Sequence, residues 1–127
     1  LKSWLKLQIE NILKFLEEAD ELLKKGDTIQ AAEKLYKAAE ESIKFLSYKE
    51  NISILSKVKK EDRWKSEFLF DASLQLSDSY PEIKDIWKSA WILHVEGFHE
   101  TRLDKDKIKF YAENVKKLRK ILEPLIK

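Results

Sequence analysis

The chain has 127 residues, 43% of them hydrophobic and 38% charged, with two glycines, two prolines and no cysteine. That length suits one helical domain over 1–127, and so charge-rich and turn-poor a composition favours long helices. A formal charge of +2 gives no general pull on DNA or a membrane surface, and the missing cysteine removes disulfides, thiolate nucleophiles and cysteine-bound zinc.

In chain order, Leu5, Ile9, Ile12, Leu16, Ala19 and Leu23 advance in steps of three and four, which predicts a first helix over 3–25. Lys24-Lys25 suit the negative end of its dipole and Gly26 its left-handed C′ residue. Asp27 then caps a second helix, with Gln30 at capping-box spacing and Ala32, Leu35, Ala39, Ile43 and Leu46 on its apolar stripe. So short a link makes the two an antiparallel hairpin. Residues 49–60 show no clean period and read as helix end plus loop.

Trp64, Phe68, Ala72 and Leu76 predict a third helix opened by Glu61-Asp62 and closed by Ser77-Asp78-Ser79. Ser79 and Glu82 have capping-box spacing and Pro81 falls in a first turn, so a fourth helix is expected from there through Ile83, Trp87, Ala90 and His94 to Gly97 or Phe98. Asp104 caps a fifth helix bearing Ile108, Tyr111, Val115, Leu118, Leu122 and Leu125, which Pro124 brings to its end. The expected fold is an all-α antiparallel bundle of about five helices, HEPN-like for reasons given below. Gly26 through Ala39 also has the look of half a tetratricopeptide unit, but no repeat follows about 34 residues on, so a solenoid is set aside.

No apolar run reaches the ~18–20 residues of a membrane span, and an amphipathic first helix is not a signal peptide, so a cytoplasmic home is expected. Abundant Lys, Glu and Ile without Cys or Met is similar to a thermophile's composition.

The densest cluster of chemistry-bearing side chains is 87–102, which holds both histidines. Five positions apart on an α-helix they point ~140° away from each other, so they do not chelate one metal, and His94-Val95-Glu96 lacks the cysteines a zinc deaminase needs. No metal is expected. Gly26 and Gly97 being the only glycines, neither a phosphate loop nor a Gly-x-Ser-x-Gly elbow exists, and no cofactor is expected. His94 lies on the stripe with Trp87 and Ala90. It is either a core histidine satisfied by a hydrogen bond or an acid–base residue oriented by Glu96 or Glu100. His99, Glu100 and Arg102 fall near a helix end, where a solvated surface is the ordinary role. The four tryptophans are core or interface anchors before they are ligand platforms. Paired acids at 17–18 and 40–41 and basic clusters at 57–60 and 116–120 suit solvated helix faces.

Leu16-Glu17-Glu18-Ala19-Asp20-Glu21-Leu22-Leu23-Lys24-Lys25-Gly26-Asp27, the stretch Gln30 through Glu40, and then Trp87, Ala90, Leu93-His94, Phe98, Glu100 and Leu103 resemble the archaeal PaREP family. The resemblance covers most of the chain and is vaguest across 49–80. That family is considered similar to HEPN domains, helical bundles that include RNA-cleaving toxins and partners of nucleotidyltransferases. The resemblance implies that helices one and two pair with four and five, and that the protein is a homodimer. HEPN ribonucleases carry an arginine four to six residues before their histidine. With His94 in that place the window holds Trp87, Lys88 and Ser89, and Lys88 keeps a charge but not the planar guanidinium fork.

Three functions follow. The first is a non-catalytic HEPN-like module binding a nucleotide, RNA or a protein such as a nucleotidyltransferase, with Lys88, Trp91, His94, Phe98, His99 and Glu100 as the candidate site. The second is a divergent ribonuclease using His94 and Lys88. The third is a purely structural or interaction bundle.

Overall fold

A computed structural model describes residues 2–99 and 103–126, with the backbone alone at Lys2 and His99. Among them every regular element is helical: α1 (Lys2–Lys24), α2 (Thr28–Glu50), α3 (Ile54–Glu61), α4 (Ser66–Leu76), α5 (Ile83–Ile92), a π-helical segment (Leu93–His99), α6 (Lys105–Val115), α7 (Leu118–Leu122) and a closing 3-10 turn (Glu123–Ile126).

The stripes read from sequence are the core. Ile9, Ile12, Leu16 and Ala19 of α1 are buried against Ala32, Leu35, Ala39, Ile43 and Leu46 of α2, and Ile83, Trp87, Ala90, Ile108, Val115, Leu118 and Leu122 complete the interior. α2 is the central helix, touching α1, α4, α5, α6 and the π-helical segment. Its alanines at 31, 32, 38 and 39 are buried and keep its surface low enough for helices to approach closely. Ser42 and Ser47, also buried, donate to the carbonyls of Ala38 and Ile43 at 2.7 and 2.6 Å, so the packed face carries no unsatisfied hydroxyl there.

Helix ends explain the topology. At the α1–α2 hairpin Gly26 has φ 83°, the N–H of Asp27 returns to the Leu22 carbonyl at 2.9 Å, and the Asp27 carboxylate accepts from the Gln30 N–H at 3.1 Å. The Asp27 half of the expected capping box is therefore made. The same left-handed stop recurs at Asn51 (φ 51°) after α2 and at Asp62 (φ 54°) after α3, with the following N–H groups of Ile52 and Arg63 reaching Ser47 and Val58.

Those stops correct the reading of 49–80. Residues 54–61 form α3 rather than a loop, held by buried Ile54 and Val58 one turn apart. Its first turn is capped from another helix: Gln75 Oε1 of α4 accepts from the Ile54 N–H at 3.1 Å and the Ser53 hydroxyl at 3.2 Å. Asp62 closes α3 instead of opening α4, and Trp64 lies in the connection. The fourth expected helix starts at Ile83, not at Ser79. The Tyr80 N–H still bonds back to Leu76 at 2.8 Å and its hydroxyl donates to Glu50 at 2.6 Å, which holds 77–82 in a turn.

The expected last helix is broken at Lys116-Lys117, where the N–H groups of Arg119 and Lys120 take i−3 carbonyls at 3.1 and 3.0 Å. This tightening points Lys116 and Arg119 at Asp20 of α1, with contacts of 2.6 and 3.0 Å. Burial pushes the Asp20 carboxyl up, but the hydrogen bonds and charges of Lys116 and Arg119 together outweigh it and hold it below the usual carboxylate range. The bundle's first and last helices are thus joined by one carboxylate. No described helix is long and apolar enough to cross a membrane.

Candidate functional site

The π-helical segment is where α5 would otherwise continue. Wider winding at this point carries its side chains over α2, and Gly97 makes the approach possible: a Cβ there would lie 3.3 Å from the Ala32 Cβ. His94, in the first turn of the segment, lies face to face on Tyr36 of α2, with ring centroids 3.8 Å apart and planes 13° apart. Phe98 is parallel to His94 at 6.5 Å, and Trp91 is tilted against it at 5.6 Å. Trp87, Trp91 and Phe70 of α4 extend the cluster, Phe70 meeting both tryptophans edge-on at 5.6 and 5.3 Å.

A polar partner of His94 comes from α2. Its Nδ1 is 3.4 Å from Glu33 Oε2, and the His94 and Glu33 side chains are 19% and 25% exposed, so the pair sits at the rim of the aromatic cluster. Glu33 is thus a carboxylate beside His94 that the sequence did not point to, and of the two expected there Glu100 lies outside the described residues. Glu33, Tyr36 and Glu40 recur at helical spacing and share one face. Burial pushes the Tyr36 hydroxyl well above the usual phenol range, and the charges of Glu40 and Glu33 push it further. Trp87 is fully buried, and its indole N–H finds no acceptor among the described residues.

Of the six residues picked from sequence, Trp91, His94 and Phe98 are brought together. Lys88 is not with them. It is exposed and lines two open grooves, one toward Phe110, Tyr111 and Asn114 of α6 and one toward Phe70, Ser73 and Leu74 of α4. The His99 side chain and Glu100 lie outside the described residues. Glu33, Tyr36, Glu40 and Phe70 were missed as site residues. The 33, 36, 40 spacing was a usable signal, whereas nothing near Phe70 marks it apart from the stripe of Phe68. Among the described residues no three acidic or histidine side chains converge as a metal site would require.

The fold and this cluster define a class: an all-α bundle built on a central alanine-lined helix, with an aromatic–histidine stack at one bend. The chain belongs to the archaeal PaREP1/PaREP8 family, whose pattern it matches over residues 7–119. It is similar to a protein from Sulfolobus solfataricus, target SsR10 of the NESG, known from a crystal structure: 48% identity, TM-score 0.82, covering 91% of this chain and 96% of that one. A solution structure of the same target is 52% identical with TM-score 0.73, covering 84% of both chains. No curated protein matches.

Proposed function

We propose that this chain is a non-catalytic, HEPN-like helical module of the cytoplasm, one domain over 1–127 and homodimeric, that acts by binding. The observation that carries the reading is the separation of its two candidate catalytic groups. His94 is stacked on Tyr36 and engaged by Glu33, while Lys88 serves grooves shared with α4 and α6. A metal-independent ribonuclease needs its acid–base group and its cation on one scissile phosphate. No arginine stands at 87–89 to replace Lys88.

Among a nucleotide, RNA and a protein, the cluster favours a protein such as a nucleotidyltransferase-type partner. Among the described residues, Glu33 and Glu40 put carboxylates beside Tyr36, and a phosphate would meet like charge there. Aromatic side chains with a polar edge are common anchors of protein interfaces.

The test uses purified full-length protein with labelled single-stranded RNA, and titration with mononucleotides and short RNAs followed by tryptophan fluorescence. Neither cleavage nor saturable binding at the cluster is expected. Cleavage that disappears in a folded His94→Ala variant would overturn the non-catalytic reading. Saturable RNA binding lost in Trp91→Ala would replace the protein partner with RNA.

A further inference from the structure

The buried polar side chains among the described residues are all serines: Ser42, Ser47, Ser73 and Ser89. Ser42, Ser47 and Ser73 each donate to a carbonyl of their own helix, at 2.7, 2.6 and 2.7 Å. Ser89 of α5 does not. The carbonyl one turn before it, that of Asp85, accepts from Asn114 Nδ2 of α6 at 3.1 Å, and the same nitrogen donates to Ser89 Oγ at 2.6 Å. A backbone carbonyl can only accept, so the Asn114 amide must turn its nitrogen toward α5, and both Nδ2 hydrogens are then used. Two capacities are left over. The Ser89 hydroxyl hydrogen meets no acceptor among the described residues, and Asn114 Oδ1 meets no donor there. The Trp87 indole nitrogen is the enclosed side-chain polar atom left without a partner among them, so Asn114 Oδ1 is open to the outside.

Ser89 and Asn114 line a groove of about 490 Å³ between α5 and α6, a size usual for small-molecule sites. Its apolar walls are Ile92, Phe110 and Tyr111. The Phe110 and Tyr111 rings stand 5.3 Å apart at 79°, a corner in which a flat ring can stack on one and meet the other at its edge. Asp85 and Glu113 balance Lys88 and Lys117 around it, so the groove favours neither sign of charge. We propose that this groove binds a small, flat, uncharged aromatic lactam or carboxamide, its C=O accepting from Ser89 and its N–H donating to Asn114 Oδ1. Such a ligand carries the two groups side by side on one edge, as a donor and an acceptor tied to each other require, whereas a trans peptide bond points them in opposite directions. The site shares no residue with the His94–Tyr36 stack and goes beyond the partner-binding reading above.

The experiment is amide NMR of the full, isotope-labelled chain titrated with isoquinolinone, a fused aromatic lactam, and with isocoumarin, the same outline with a ring oxygen in place of the N–H. Circular dichroism confirms the fold of each variant. Isoquinolinone should give saturable shifts centred on Ser89, Phe110 and Asn114 with a dissociation constant of about 1 mM or below, the range for a ligand of this size. Isocoumarin should bind about tenfold more weakly, because its ring oxygen leaves Asn114 Oδ1 without a donor. Ser89→Ala, which keeps the Asn114–Asp85 hydrogen bond, should weaken isoquinolinone about tenfold. Phe110→Ala, at a side chain 72% exposed and so dispensable for folding, should weaken both compounds by a similar factor. No saturable shift up to about ten times that concentration would overturn the site. Equal affinity for lactam and lactone, or a folded Ser89→Ala chain that binds isoquinolinone like wild type, would reduce it to an unspecific apolar groove and overturn the proposal as well.

Discussion

Gly97→Ala is the substitution that most directly interrogates the seat of the π-helical segment. The new methyl group would stand 3.3 Å from the Ala32 Cβ, 3.7 Å from Leu103 Cδ1 and 3.9 Å from Leu93 Cδ2. The two leucine contacts are ordinary and flexible. The Ala32 contact is not, because that methyl has no torsion with which to retreat and is fixed to the most enclosed helix of the bundle. Overpacking of this kind costs about 1–3 kcal/mol, offset by about 1 kcal/mol from replacing a helical glycine by alanine. A net loss of about 1 kcal/mol follows, which for a chain of this size lowers Tm by about 3–5 °C. The decisive comparison is made in an Ala32→Gly background. There the obstructing methyl is gone, only the propensity gain remains, and the same Gly97→Ala change should raise Tm. Differential scanning calorimetry of the four proteins of this cycle measures the coupling. Equal effects of Gly97→Ala in both backgrounds would refute the reasoning that Ala32 sets how closely the segment lies on α2.

Asp20→Asn should cost about 1 kcal/mol at neutral pH, since a partly exposed carboxylate with two cationic partners is lost. The Asp20 carboxyl is held below its unfolded value of about 4, so its contribution is fully present above that pH and disappears as pH falls through the lower folded value. Thermal melts should therefore show a gap between wild type and variant that is constant down to about pH 5 and closes below it. A gap that widens in acid would contradict this sign. Trp87→Ala should destabilise by about 3–5 kcal/mol in urea unfolding. Trp87→Phe should cost far less, because it also removes a buried indole N–H that lacks an acceptor among the described residues. Gln75→Ala should speed amide hydrogen exchange in the first turn of α3 and leave α4 protected, since it deletes the cap of a helix that lacks one of its own. Unchanged exchange at Ile54 would show that the cap is idle.

The legible part of this fold was the part whose information is local. Stripes such as Ile9-Ile12-Leu16 or Leu35-Ala39-Ile43 announce a helix and its buried face together, and Gly26-Asp27 and Asp104 mark helix ends by residue type alone. Residues 49–80 failed because their determinants are distant or atypical. Asn51 and Asp62 take the left-handed position that Gly26 occupies at the first hairpin, and α3 receives its cap from Gln75, 21 residues away. Tyr80 is likewise held in its turn by Glu50, 30 residues away. At the site, Trp91, His94 and Phe98 were found because they cluster in sequence. The 33, 36, 40 spacing marks Glu33 as part of one face of α2, but its pairing with His94, 61 positions away, depends on which face the bend lies on. Lys88 was grouped with His94 through the arginine-to-histidine spacing that the HEPN resemblance implies, whereas on α5 it lines grooves toward α4 and α6.

The enclosure of α2 has a consequence for how the molecule comes apart. A helix packed against α1, α4, α5, α6 and the π-helical segment cannot open while any of them stays in place, so its amides report the global unfolding equilibrium. α3, with two buried side chains and a borrowed cap, can detach without disturbing the others. The chain is thus graded from a slow interior spine to a fast outer turn of helix, and early proteolytic nicking belongs near Asn51–Trp64 rather than at the α1–α2 hairpin.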